Sequence, residues 1–136
     1  MSQKEVITML YTYTAVISES DGTFYAKVPD VNGCITTASS LSEAISLITD
    51  ALSLCLVGLE DEGIKPNPAT PQADIPHEAG DILTVIQADT LKYRSATDTR
   101  AVRKNVSLPA WMVSLAGKRG LNCSKVLQDA LLVALS

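Results

Sequence analysis

Residues 101–108, Ala-Val-Arg-Lys-Asn-Val-Ser-Leu, constrain this chain more than any other stretch. Val102, Val106 and Leu108 sit at even positions, and Arg103, Asn105 and Ser107 at odd ones. That period of two is the signature of a β-strand with one buried face. Pro109 stops the strand and suits the first turn of a helix over Ala110–Arg119, where its missing N–H costs nothing. Trp111, Met112, Leu115 and Ala116 form the apolar side of that helix. Gly120 closes it, Leu121 can pack back, and Asn122 opens a second helix whose apolar stripe is Val126, Leu127, Ala130, Leu131 and Ala134. The strand has no partner inside this segment. A unit below ~40 residues also rarely builds a sufficient core alone. Pairing with the same strand of a second chain answers both difficulties, because a two-fold antiparallel ribbon satisfies the backbone and lets four helices share one core.

Nothing else in the sequence offers a staple. The three cysteines, Cys34, Cys55 and Cys123, are isolated, and His77 is the single histidine. With no C-x-x-C pair there is no zinc-ligand set, so the expectation is reduced structural thiols and no cofactor. The N-terminus shows no signal-peptide pattern, and the most apolar run, Ala51–Leu59, is well short of the ~20 residues a spanning helix needs. A cytoplasmic protein without a membrane partner is therefore expected.

Charge divides the chain. Residues 1–99 hold five Lys/Arg against fourteen Asp/Glu, a net of −9, whereas residues 100–136 hold six Lys/Arg against Asp129 alone, a net of +5. Two units with different partners are implied, the small basic one being suited to nucleic acid.

In the acidic unit, Val6–Ser18 and Thr23–Val28 are rich in β-formers and flank Glu19-Ser20-Asp21-Gly22, a hairpin signal. Breaks at Pro29-Asp30 and Asn32-Gly33 precede a third strand, Cys34–Ala38. Ser40-Leu41-Ser42-Glu43 fits a capping box, followed by apolar residues at helical spacing from Leu41 to Leu59, with Gly63 as a left-handed cap. Lys65–Gly80 carries four prolines and reads as an extended surface connection. Ile82–Ala88 is the last strand. The order β-β-β-α-β predicts an α+β layered domain over residues 1–89. Residues 90–100 then read as a linker, with Leu91 and Tyr93 able to dock a short turn, before the β-α-α unit at 101–136.

If Val106 and Leu108 face the helices, Arg103, Asn105 and Ser107 face solvent. A two-stranded ribbon fits the DNA major groove, where Arg bonds guanine and Asn bonds adenine. The start of the last helix, Asn122-Cys123-Ser124, offers amides to a phosphate with Lys125 close by. Residues 101–135 resemble the ribbon-helix-helix family of repressors in the strand ending Ser107-Leu108-Pro109, the Gly120-Leu121 turn and the Asn122-Cys123-Ser124 cap. The resemblance implies base contacts from Arg103, Asn105 and Ser107. Lys104 departs from the pattern by falling on the inward face, at a strand end from which its ammonium can reach a phosphate.

Residues 9–89 resemble the HicB antitoxin family through the run from Phe24 to Cys34, Ser42-Glu43-Ala44, and Gly63-Ile64 before the prolines. Asn32-Gly33-Cys34 stands where the usual pattern has Pro-Gly-Cys. The resemblance implies a partial ribonuclease-H-like fold that binds and blocks HicA, a small basic RNA-cleaving toxin. It also implies an operator-binding homodimer through residues 101–136, with room for a higher oligomer. The acidic charge agrees with a basic partner. A repressor with a ligand-sensing N-terminal domain is the alternative. A nuclease site built on Asp21, Asp30, Glu43, Glu60, Asp61 and Glu62 is disfavoured, because turns, caps and helix ends account for most of them, so no enzyme activity is expected.

Overall fold

A hairpin and two further strands build the scaffold. The computed structural model describes residues 10–136, so the first residues of the predicted opening strand lie outside the described part. The chain divides into two compact units, the first ending at Thr97 and the second beginning at Asp98.

Within the first unit, β1 (Leu10–Ser20) and β2 (Thr23–Lys27) join through Asp21 and Gly22, with φ of 51° and 78°. Two successive positive φ values give the turn a twist that matches the flanking strands, and Asp-Gly is the pair that tolerates it. β3 (Ile35–Ala38) and β4 (Ile82–Asp89) complete an antiparallel sheet in the order β3-β2-β1-β4. β1 is therefore central, and its side chains alternate between two covered faces. Tyr13, Ala15 and Ile17 enter the main core, while Thr14 and Val16 are buried on the other side.

The helix α1 (Leu41–Glu62) closes the main core with Ala44, Ile48, Leu52 and Leu56, all fully buried. Its start follows the predicted cap with one change. Ser40 Oγ accepts from the Glu43 amide at 3.2 Å, but the Glu43 carboxylate reaches back to the amide of Ser39, at 3.0 Å, rather than to that of Ser40. Its end is a Schellman closure: Gly63 N–H donates to Glu60 O, and Ile64 N–H to Leu59 O. Gly63 has φ 69°, so Gly63→Ala is expected to cost about 1–2 kcal/mol in a denaturant titration, from Cβ strain alone. The whole of α1 is long and apolar enough to cross a membrane by length and composition, which the shorter run Ala51–Leu59 did not suggest. Here one side of it packs on the sheet.

Two segments are more structured than their composition implies. The proline-rich connection is anchored, since Asp30 accepts from the amide and the hydroxyl of Thr70, and Asn67 O accepts from the Tyr13 hydroxyl. Farther along it, Gln72 donates to Leu83 O and Ile75 is buried, so this segment covers the outer face of the sheet. Prolines removed amide donors without preventing side-chain anchoring. Residues 90–97, read as linker, form a helix, α2 (Thr90–Thr97), capped by Asp89 Oδ1 on the Lys92 amide at 3.0 Å. Two carboxylates of α1, Glu60 and Asp61, hold it.

The second unit has two helices, α3 (Ala110–Lys118) and α4 (Cys123–Leu135). The turn between them repeats the Schellman pattern, with Gly120 at φ 65° and Leu121 N–H donating to Ala116 O. Residues 101–109 form no strand in the single chain. A ladder needs hydrogen-bonding partners, and one copy supplies none.

Candidate functional site

The first unit holds one buried charged cluster. Glu60, with its side chain 3% exposed, accepts from Tyr11 Oη at 3.0 Å, Thr90 Oγ1 at 2.7 Å and Arg94 Nη2 at 3.1 Å. Arg94 also meets Asp61 Oδ1 at 2.9 Å. Burial, followed by the bond to Glu60, pushes the Tyr11 phenol up to about 12. Burial opposes the charge on Arg94, but its bonds to Glu60 and Asp61 more than offset that and leave its pKa raised. The arrangement ties β1, α1 and α2 together. Its carboxylates are committed to these bonds, and among the described residues no group of three His, Cys, Asp or Glu is placed to hold a metal ion. Of the other acidic residues, Asp30 anchors Thr70 and Glu43 caps α1.

His77 Nδ1 lies 2.9 Å from Ile75 O, in the segment covering the outer face of the sheet. Beside it an open groove of ≈ 840 Å³ is lined by Tyr25, Lys27, Ile35, Thr37 and Asp81 among others. Cys34 is buried, and burial together with neighbouring Cys55 pushes its thiol up to about 12, so the thiolate form is suppressed. Cys123 is exposed.

In the second unit, Arg103, Lys104, Asn105 and Ser107 are all exposed and make no hydrogen bond or ion pair with another described residue. The structure brings Asn122 and Lys125 together: Asn122 Oδ1 accepts from the Lys125 amide at 3.2 Å and caps α4. The amides of Cys123 and Ser124 are left at the first turn, where a helix has no internal acceptor for them. Lys125 Nζ also pairs with Asp129 Oδ1 at 2.6 Å, an i,i+4 bond that the sequence spacing could have revealed. The unit's defining property is exposure. No residue from 98 to 136 is buried, and Leu115, Leu121, Val126, Leu127 and Leu131 are 40–52% exposed. The two stripes read from the sequence are therefore uncovered in one copy.

The described residues thus comprise an α+β unit and a helical unit with an uncovered apolar face. A family model described as the HicB-like antitoxin of bacterial toxin-antitoxin systems matches residues 13–120, and the chain belongs to that family. A 14.9 kDa uncharacterized protein from the rep-hol intergenic region of Haemophilus phage HP1 is 28% identical over 104 residues, which cover 74% of this chain and 75% of that protein. Among solved structures, a toxin-antitoxin complex from Streptococcus pneumoniae aligns with a TM-score of 0.56 at 20% identity, covering 90% of this chain and 97% of the matched one. The antitoxin HicB of Burkholderia pseudomallei aligns with a TM-score of 0.52 at 21% identity, over 93% and 99% of the two chains. At these identities the likeness is one of fold.

Proposed function

We propose that this protein is the antitoxin of a HicA/HicB-type pair, whose N-terminal unit binds and blocks an RNA-cleaving HicA-type toxin. Its C-terminal unit dimerises as a ribbon-helix-helix module and represses the operon by binding the operator. The observation that carries the reading is that no residue of the C-terminal unit is buried. Two helices with apolar stripes and no buried residue are not a stable end state in water, and a second copy of the same unit supplies the missing core. Pairing two copies of residues 101–108 would place Val106 and Leu108 inward, with Arg103, Asn105 and Ser107 outward into the major groove. Lys104, Lys125 and the Asn122-Cys123-Ser124 turn would meet phosphates.

Two measurements test it. The mass of the protein, alone and co-expressed with the small basic protein of an adjoining reading frame, should report a dimer and then a tight complex. A protein that captures no toxin ends the antitoxin assignment. In a promoter gel-shift, Arg103→Ala and Asn105→Ala should each cost about 1–3 kcal/mol at one cognate base, and Lys125→Ala should weaken all sequences and flatten the salt dependence. Unchanged binding by the Arg103→Ala/Asn105→Ala double variant would show that the ribbon is not the reading head.

The groove on the outer sheet face favours one other reading, a repressor whose N-terminal unit senses a small ligand. A metabolite that shifts the thermal unfolding of the purified protein, with no toxin captured, would select it.

A further inference from the structure

The helix α1 buries one face and leaves an ordered pattern on the other. Glu43, Leu47, Asp50, Leu54, Val57 and Asp61 recur at alternating spacings of four and three, the repeat by which one helix seats against another. Leu47 is 40% exposed and Leu54 59%, and Gly58 beside them would meet nothing within 4 Å if it carried a Cβ. The seam thus presents two exposed leucines among acidic residues, with room at Gly58 for a close neighbour. Its acidic members differ in their bonding. Asp61 is held by Arg94, and Glu43 by the Ser39 amide, but Asp50 makes no hydrogen bond or ion pair with any described residue. It stands between the two leucines. No Lys or Arg occurs anywhere in α1.

We infer that this outer face of α1 is the toxin-docking surface, on which Leu47 and Leu54 anchor a cationic helix whose Lys or Arg reaches Asp50. The inference rests on the antitoxin reading and assigns a place to it. A second copy of this chain fits the face poorly. A parallel pair sets Asp50 against Asp50, and an antiparallel pair centred on the seam sets Glu43 against Asp61 and Asp50 against Leu54. Arg94 offsets Asp61, but both registers set Asp50 against acid or apolar surface, with no cation on either α1 helix to relieve it. A basic partner has the complementary charge, and the shallow groove next to the seam, lined by Leu54, Gly58, Glu62 and Asp30 with Lys65 as its one cation, stays acidic on balance.

The test uses full-length protein and the co-expressed HicA-type toxin of the same operon, with thermal unfolding as the control for folding. Leu54→Arg and Asp50→Lys alter exposed positions and should leave unfolding unchanged. Each should weaken toxin capture by about 30-fold or more, the scale of a central anchor. Asp50→Glu should retain capture, and so should Ile35→Arg, which changes the groove on the outer sheet face. Capture by Leu54→Arg equal to that of the unaltered protein overturns the docking surface and leaves the antitoxin reading standing. Loss on Ile35→Arg alone moves the toxin to the sheet and overturns it too. If the unaltered protein captures no toxin, both readings fail. A lower mass for the Leu54→Arg protein by itself would assign the face to a second copy instead.

Discussion

Replacing Glu60 by alanine is expected to lower the stability of the N-terminal unit by about 3–5 kcal/mol, the usual cost of stripping one partner from a buried charge pair. The substitution removes one carboxylate and leaves three donors, Tyr11 Oη, Thr90 Oγ1 and a guanidinium nitrogen of Arg94, without their shared acceptor. Arg94 would keep Asp61, which is 56% exposed and a weaker counter-charge because water screens it. Urea titration should show the loss as a lower midpoint. Amide exchange should show α2 opening first, since Glu60 bonds it through both Thr90 and Arg94. A Glu60→Ala protein with the original midpoint would mean that the remaining contacts of α2, including Arg94 to Asp61 and to Val57 O, suffice to hold it. Alkali should act on the same cluster. The Tyr11 pKa is pushed up to about 12 from an ordinary value of 10, so the contribution of Tyr11 to stability is fully present below pH 10 and is lost as the pH rises through about 12. Tyr13 is raised as well, by burial and then by Asp30, so Tyr11→Phe should flatten part of the fall and not all of it.

The second large effect is expected from Leu131→Asp. This residue is 49% exposed in one copy and lies in the middle of the α4 apolar stripe. If four helices share a core, the substitution sets a carboxylate from each copy inside it. Burying an unpaired charge costs several kcal/mol, more than a module of this size can bear. Light scattering should then find single chains, and the promoter gel-shift should show no complex at any salt concentration. Toxin capture should persist, because the proposed docking surface lies in the other unit. A dimeric Leu131→Asp protein would place the subunit contact elsewhere.

Local signals gave the elements of the first unit with small errors. The Asp21-Gly22 turn, the Ser40 cap and the Gly63 closure are backbone requirements written into single residues, and each stands where it was read. The misses share a cause. Residues 90–97 have the polar composition of a linker, and their helix depends on a carboxylate 30 residues earlier, through Thr90 and Arg94. The Asp89 cap was the local clue. The proline-rich connection looked free because its anchors, Asp30 and Tyr13, come from a distant turn and a distant strand. The pairing of Lys125 with Asp129 was legible from i,i+4 spacing and was overlooked.

The candidate surfaces divide along similar lines. Arg103, Asn105 and Ser107 could be chosen from alternation, from which Lys104 departs, because a period of two is a property of the chain itself. The outer face of α1 was legible in part. The stripe of Leu41, Ala44, Ile45, Ile48, Leu52, Cys55, Leu56 and Leu59 omits Leu47 and Leu54, and packing shows Ile48 and Leu52 in the core while these two stay outside. Sequence alone determined the turns, the caps, the two helical stripes near the C-terminus and the separation of acidic from basic charge, since all of these are local or additive. The tertiary structure decided which apolar residues remain uncovered and which carboxylates are committed to structural bonds, because burial depends on what the folded chain brings alongside.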